Sequence, residues 1–523
     1  MKPMYRIGPF LTRRHKGVKL MSTFHGLEMA RQALATQQAA LYTTGHNIAN
    51  ANTEGYSRQR VNFETLSAFP AASRNRPQIP GQMGTGVEAG SVQRIRNQFL
   101  DNQFRGENST SGYWSTRAEA LSRMESLLNE PSDAGLSKTM DQFWQSLQDL
   151  AVNPENSGAR SVVLERAHAV ADTFNYMSES LTNIRTDLQK QIDVTVKDAN
   201  TLIDGINELN KQIKHLETHG YSANDLYDRR DMLIDNLSEI VSIDVSYDKS
   251  HLPPNKQGDG VATINLVNEA GTSIMDTPLI DGVSGVAQAF DEPNYETAEG
   301  LLAVTNLTIG GTKVDILATE GSLKGLVDAF GYVDESGEVV GDYPEMLRNL
   351  DKMAYAFATA FNAQHQAGKI GDENGAAFFT EFGTEEDAYI GAAGAISVLL
   401  EDGSQIATST TGDSGNGDNA SMLADVFNKS DATLDGASIK KYYESLIGDL
   451  GVTAEHANRM TENTNTLLGQ VQNQRLAVSS VSLDEEMSNM IKFQHAYSAA
   501  ARSMTAMDEM LDRIINSMGL VGR

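Results

Sequence analysis

His215 and His219 are the residues whose type and spacing come nearest to metal chemistry. Two imidazoles at i and i+4 share a helix face, the arrangement a zinc protease uses to hold its metal. That motif puts a glutamate directly after the first histidine; here Leu216 stands there and Glu217 is displaced. Histidines just before Gly220 also have a plain explanation, the favourable meeting of a cation with a helix C-terminus. Asp372-Glu-Asn-Gly375 and Asp413-Ser-Gly-Asn-Gly-Asp418 have the composition of calcium loops. Neither has the six-ligand spacing or the closing glutamate, and such residues gather in turns for conformational reasons. Gly84-Thr-Gly86 followed by Gly90 misses the dinucleotide spacing and follows no buried strand. His46, His365 and His495 stand without a Ser or Asp partner that the sequence can place. No catalytic, cofactor or metal site is assigned, and the expectation is a protein that is not an enzyme.

The elements that must carry any function are helical at both ends. From Val163 to Leu188 the apolar positions Val163, Ala167, Val170, Phe174, Met177, Leu181, Ile184 and Leu188 alternate steps of four and three, the pattern of a coiled-coil seam. The alternation slips near Ile192 and resumes through Ile203, Ile206, Leu209, Ile213 and Leu216 to a stop at Gly220. A continuous helix from Ser161 would be on the order of 90 Å long. A further helix is expected from about Asn224 to Ile240. Earlier ones are expected from Val92 to Asn129, ended by Pro131, and from Ser137 to Ala151, ended near Pro154. Residues 57–90 bear Pro and Gly among short alternating stretches and predict an extended arm or hairpin.

After Ile240 the texture changes. Val241–Tyr247 alternates with period two, and short β-like runs recur at Ala262–Val267, Leu302–Ile309, Lys313–Ala318 and Ala395–Leu400, with a helix at Tyr343–Ala367 among them. The back of the chain is amphipathic again over Ala454–Ser479 and Leu483–Met518. In the last segment Phe493, Tyr497, Ala500, Met504, Met507, Leu511, Ile514 and Met518 alternate steps of four and three without a break. At the front, Leu27, Leu34, Leu41 and Ile48 fall in steps of seven and run into Asn47-Ile-Ala-Asn-Ala-Asn-Thr-Glu-Gly-Tyr56. There Asn47, Asn50 and Asn52 compete for backbone hydrogen bonds and Gly55 tolerates a left-handed stop.

Composition bounds what such an architecture can do. A chain of 523 residues exceeds a single core, and three or four domains are expected. A net charge of −27 argues against a general nucleic-acid binder and against anionic membrane surfaces. With no cysteine, disulfides and thiolate chemistry are excluded. No run of 18 apolar residues exists to span a membrane. The first 20 residues hold Lys2, Arg6, Arg13, Arg14, Lys16 and Lys19 without an acid and lack the apolar core of a secretory signal. They are expected to be a mis-assigned start or a disordered extension, with translation beginning at Met21.

Four stretches carry a resemblance. Asn47–Arg58, with Gly55-Tyr56-Ser57-Arg58-Gln59 at its end, is similar to the N-terminal signature of the flagellar axial proteins, and within that family to its hook-associated members. Gly84-Thr-Gly-Val87 leading to Val92-Gln-Arg94 and Phe99-Leu100 is a second match, and Asp225–Ser238 a third. Val481-Ser-Leu-Asp-Glu-Glu486 with Phe493-Gln-His-Ala-Tyr497 is the fourth. The matches cover roughly the first 240 and last 70 residues; the middle offers weaker echoes such as Gly417-Asp418-Asn419. The coiled-coil run over Ser161–Ser238 with its Asp225–Asp231 stretch favours the first junction subunit over a hook, rod or second junction protein.

The resemblance implies a fold and a role. The fold is mainly α with a β-rich insertion, the N- and C-terminal helices paired in coiled coils and the β-rich domains outermost. Residues 21–56 with 483–523 form the terminal helical domain, 57–244 with 446–482 a longer helical coiled-coil domain, and 245–445 the β-rich part. The role is a structural subunit at the hook–filament junction, required for filament assembly and hence motility. It leaves the cell through the flagellar type III apparatus without a cleaved signal and lies outside the cell. Partners implied are further copies in a short helical layer, the hook protein below, a second junction protein and the filament above, and a cytoplasmic export chaperone on the C-terminal helix; no nucleic acid and no membrane.

The residues of the terminal helices carry this reading. Leu27, Leu34, Leu41 and Ile48 with Asn47, Asn50, Asn52, Gly55 and Tyr56 are the assembly candidates at the front. Phe493, Tyr497, Ala500, Met504, Met507, Leu511, Ile514 and Met518 are the assembly and chaperone candidates at the back. An isolated amphipathic helix depends on packing its stripe. Eight apolar positions buried in a polymer supply on the order of 10 kcal/mol toward assembly before entropy costs. An intramolecular pairing within a monomer remains the alternative for these seams, and a secreted hydrolase on a helical scaffold the alternative from another class.

Overall fold

The computed structural model describes residues 25–69, 84–128, 135–254, 257–383, 385 and 387–517. The basic extension 1–20, the expected start at Met21, the helix stop at Pro131 and Met518 lie outside the described residues. The chain divides into two compact units at Arg96/Asn97 and again at Val478/Ser479.

The terminal unit opens with α1 (His25–Ala49), whose first turn carries Glu28 and whose last carries His46, each favourable at its end of the helix dipole. The segment 57–90 supplies the hairpin strands β1 (Gln59–Thr65) and β2 (Val87–Arg94), antiparallel with a bulge between Asn62 and Phe63.

The large unit holds α2 (Gln98–Leu128), α3 (Leu136–Val152), α4 (Ser157–Thr218) and α5 (Asn224–Ile240). Helix α4 is unbroken for 62 residues, about 93 Å at 1.5 Å per residue. Asn156 caps its start by accepting from Gly158 N and Ala159 N, and Gly220, at φ +81°, ends it. Most of its seam is buried: Val163, Val170, Phe174, Leu181, Ile192, Ala199, Ile203, Ile206 and Ile213 are fully enclosed, while Ile184, Leu209 and Leu216 are half-buried. The slip near Ile192 is a pair of four-residue steps, Leu188–Ile192–Val196, all buried, which lets the stripe drift round the helix without breaking it. The seam is covered by a succession of shorter elements, α3, α5 and the later helices, and not by one long partner helix.

Strands β3 (Ile243–Asp248), β4 (Val261–Leu266), β5 (Ile280–Asp281) and β6 (Val286–Ala287) form a four-stranded antiparallel sheet in that order. Strands β7 (Asn294–Ala298), β8 (Leu301–Ile309), β9 (Thr312–Val314), β10 (Tyr332–Val333) and β11 (Val339–Val340) form a second sheet, with only the β8–β10 pairing parallel. Beyond these the middle is carried by helices, α6 (Ser322–Phe330), α7 (Asp342–Ala367), the short α8 (Ala392–Ala395) and α9 (Asp418–Asp425), with a small hairpin at Lys369–Ile370 and Glu373–Asn374. The sequence reading of 245–445 as β-rich thus applies chiefly to its first half, up to Val340.

An aromatic cluster closes the core here: Phe143, Phe174, Phe357, Phe361, Phe378, Phe379 and Phe427 meet ring to ring at 4.9–6.4 Å, the tilted and edge-on packing aromatic quadrupoles favour. Helix α10 (Ile439–Ser479) leaves the large unit, and α11 (Leu483–Ser517) completes the terminal one.

Candidate assembly surface and its supporting joint

The terminal unit is an antiparallel pair of helices braced by a hairpin. Gly26 at the start of α1 lies so close to Met507 that a Cβ there would stand 3.0 Å from its Cε and Sδ. At the other end the chain beyond α1 meets the first turn of α11. The tightly buried positions of α1 are small or polar, Ala30, Thr36, Ala40, Thr43, Thr44 and Asn47, which lets the hairpin approach closely; Thr36 Oγ1 donates to Val87 O at 3.1 Å.

The heptad residues Leu27, Leu34, Leu41 and Ile48 are half-buried. On α11, Phe493, Ala500, Met504, Met507 and Leu511 form a half-buried line, with Phe493 edge-on to Phe63 at 5.9 Å. Tyr497 is more exposed, at 38 %, and the side chain of Ile514 lies outside the described part. A second apolar row, Leu483, Met487 and Ile491, is about half exposed, as is Met510 further along, and Ile515 is more exposed still. Among the described residues, no apolar side chain of α11 is buried.

The Asn-rich turn is a fastener. Asn47, 1 % exposed, donates from Nδ2 to Gln59 O at 2.8 Å and accepts from Gln59 N at 3.0 Å, so one amide side chain replaces a strand partner for β1. Its Oδ1 also accepts from Tyr56 Oη at 2.8 Å, and Tyr56 Oη lies 3.0 Å from His46 Nδ1. Asn50 folds back on His46 O at 3.0 Å, Asn52 is exposed, and Gly55 takes φ +75° to turn the chain. Arg58 then reaches α11: its Nε donates to Glu486 at 2.8 Å, its Nη2 to Glu485 at 2.7 Å, and its backbone N to Ser479 O at 2.9 Å. The guanidinium holds the Glu485 carboxyl below its usual range and is itself pushed up by that bond. Sequence reasoning quoted Arg58 and the Glu485–Glu486 pair inside motifs but gave them no role. Two acids in a helix's first turn facing an arginine in the other terminal motif were the signal available.

The third motif has a different use. Arg230 is fully buried in the large unit beneath the rings of Tyr227 and Tyr247, at 5.5 and 5.0 Å, and donates to Gly260 O at 2.7 Å. Asp235, five residues on, accepts from Arg105 at 2.9 Å and from Arg475, which also pairs with Asp101 at 2.7 Å. This charge network fastens α2, α5 and α10 together.

Glu217, between the two histidines, is fully buried and accepts from Tyr227 Oη and from Gly260 N at 2.9 Å while facing His251 Nε2. It is thereby committed to the loop between β3 and β4, and the rings of His215 and His219 lie 4.8 Å apart at a tilt of 45°. Burial pushes the Tyr227 hydroxyl well above its usual range, with Glu217 adding to it. His365 is buried and held by Ala376 O at 2.7 Å and Ala407 N at 2.9 Å, and burial pushes its pKa down. Among the described residues no three His, Asp or Glu side chains group to hold a metal, and no helix is long and apolar enough to cross a membrane.

Residues 121–379 match the model of the helical domain of flagellar hook-associated protein FlgK. Residues 27–56 match the flagella basal body rod protein model and 472–518 that of the FlgEFG C-terminal region. The flagellar hook-associated protein 1 of Bacillus subtilis (strain 168) is 46 % identical over 518 residues, covering 96 % of this chain and all of its own. The chain belongs to the flagellar hook-associated protein 1 family. The Escherichia coli (strain K12) member is 25 % identical across 93 % of this chain and 98 % of its own. In fold, the chain is similar to the solved flagellar hook junction protein FlgK from Burkholderia pseudomallei, at a TM-score of 0.57 and 14 % identity, over 73 % of this chain and all of that one. The protein is a structural flagellar axial protein and a component of the flagellum.

Proposed function

We propose that copies of this chain form a short layer at the hook–filament junction through the apolar faces of their terminal helices. The observation that carries the reading is α11: 35 residues with apolar side chains on more than one face and, among the described residues, none of them buried. Half-exposed Leu, Ile and Met side chains each contribute roughly 1.5–3 kcal/mol once fully covered, so the free subunit is a poor endpoint for this helix. The candidate interface is Leu27, Leu34, Leu41 and Ile48 on α1 with Phe493, Tyr497, Ala500, Met504, Met507, Leu511, Ile514 and Met518 at the chain's end. The Asn47–Tyr56 turn holds the pair in register.

The layer sits on the hook protein and receives the second junction protein and filament. Subunits reach it through the type III apparatus without a cleaved signal, and a cytoplasmic chaperone covers the C-terminal face before export. The homologues named hook-associated protein 1 support this reading.

Deleting the gene and examining cells by electron microscopy, with flagellin assayed in the medium, tests it. Hooks without filaments and flagellin lost as monomer are expected. Normal filaments would overturn the assignment; absent hooks would move the protein inward to the rod or hook.

A further inference from the structure

A cavity of about 400 Å³ opens in the large unit where the middle of α4 meets the β7–β8 hairpin and the turn at Tyr389–Gly391. That is within the size range of small-molecule sites. Ser178, Thr182, Thr186 and Gln189 line it at helical spacing, a polar row along α4. The hydroxyls of Thr182 and Thr186 donate back to Ser178 O and Thr182 O, at 2.8 and 3.0 Å, which leaves their oxygen lone pairs for a ligand.

Arg185 lines the same cavity and is 5 % exposed. Its Nε donates to Phe330 O at 3.1 Å, its Nη2 to Leu302 O, and its guanidinium lies 4.9 Å from the Phe330 ring. Among the described residues Nη1 has no hydrogen-bond partner and no carboxylate pairs with the group. The two acids on the cavity wall are engaged by neighbours, two of which, Arg348 and Gly391, line it as well. Glu299 pairs with Arg348 at 2.6 Å, and Asp351 accepts from Gly391 N and Ala393 N at 2.9 and 2.8 Å. Burial lowers the Arg185 pKa to about 10 and raises that of Asp351 to about 6. A buried cation lacking a counter-ion is costly, and an anion entering the cavity would relieve that cost.

We propose that this cavity binds an acidic sugar, its carboxylate on Arg185 and its ring hydroxyls on Thr182, Thr186 and Gln189. Two nearby acids disfavour a doubly charged phosphate, and a row of hydroxyl and amide groups matches a polyhydroxylated ring. Tyr389 also lines the cavity, with Lys352 Nζ 5.6 Å from its ring centroid. The same chemistry is offered by a free monosaccharide or by the end of an acidic polysaccharide.

Calorimetric titration of the full chain with glucuronate, glucose and a glucuronate oligomer tests the proposal. Glucuronate is expected to bind, with glucose at least tenfold weaker. Thr186→Val with Gln189→Leu, on the accessible side of α4, should leave the melting temperature unchanged and weaken glucuronate on the order of tenfold, as two lost neutral hydrogen bonds imply. Thr182→Trp should fill the cavity and abolish binding. It also serves as the control should Arg185→Met, which removes two structural hydrogen bonds, fail to fold. Oligomer binding would identify the polymer as the source; its exclusion alongside glucuronate binding would identify the free sugar. No binding of glucuronate, equal binding of glucose, or glucuronate binding undisturbed by Thr182→Trp would each overturn the proposal.

Discussion

Helices α4 and α11 carry the same sequence alternation of fours and threes and meet opposite fates. In α4 the stripe is sealed by its own chain, from Val163 to Ile213. In α11 the equivalent stripe is half covered by α1, and a second apolar row, Leu483, Met487 and Ile491, is left about half exposed. Heptad periodicity therefore marks a face that must be buried but does not say where its partner comes from. For α4 the partners are local helices and strands of the large unit that close its stripe. In the terminal unit they run short, and the surplus apolar surface is what an assembling subunit needs.

The largest expected effect breaks the well-packed side of this contrast. Phe357→Ala, in the aromatic cluster, should cost about 3–5 kcal/mol, read as a lowered urea midpoint for the purified chain. Asp235→Ala leaves the buried Arg105 without its carboxylate, and breaking such a pair costs about 3–5 kcal/mol; a loss near the upper end would rank the charge network level with the aromatic core. On the terminal side, Asn47→Ala strands the backbone N and O of Gln59, for about 1–3 kcal/mol, and hydrogen exchange should rise first in β1. Glu485→Gln should cost about 0.5 kcal/mol or less, because that carboxylate is exposed and screened. Arg58 depresses the Glu485 pKa, so its contribution is present above the ordinary glutamate pKa and is lost as pH falls through the depressed value; the variant should flatten that acid limb. Ile491→Ser, at a half-exposed position of α11, should change monomer stability by less than about 0.5 kcal/mol while abolishing filament formation in complemented cells. A strongly destabilised Ile491→Ser monomer would remove the contrast between the helices.

Legibility in the sequence followed distance along the chain. The helix that became α4 could be read from Val163 to Gly220, including the irregularity at Ile192, because every signal is local. The hairpin from 57–90 was legible as extended chain but not in its pairing, which Asn47 controls from α1. The strand-like run at Ala395–Leu400 proved to be isolated pairing, Phe379 with Val398, since period-two texture also arises where a loop alternately buries Ile396 and Leu400 against helices. The terminal motifs named a family, yet the bond between Arg58 and the Glu485–Glu486 pair spans more than 400 residues and nothing local announces it.

By itself the sequence determined which faces are apolar, where helices cap and stop, that no thiol chemistry is available and which family's motifs it carries. Those properties depend on side chains a few residues apart. Only the tertiary structure decided that the α4 seam closes within the chain while the α11 surface stays open. It alone showed that Glu217 serves a loop, and that Arg185 is buried on a cavity wall without an acid. Each is a matter of which distant groups share the space around a side chain, and burial, charge pairing and exposure are properties of that space.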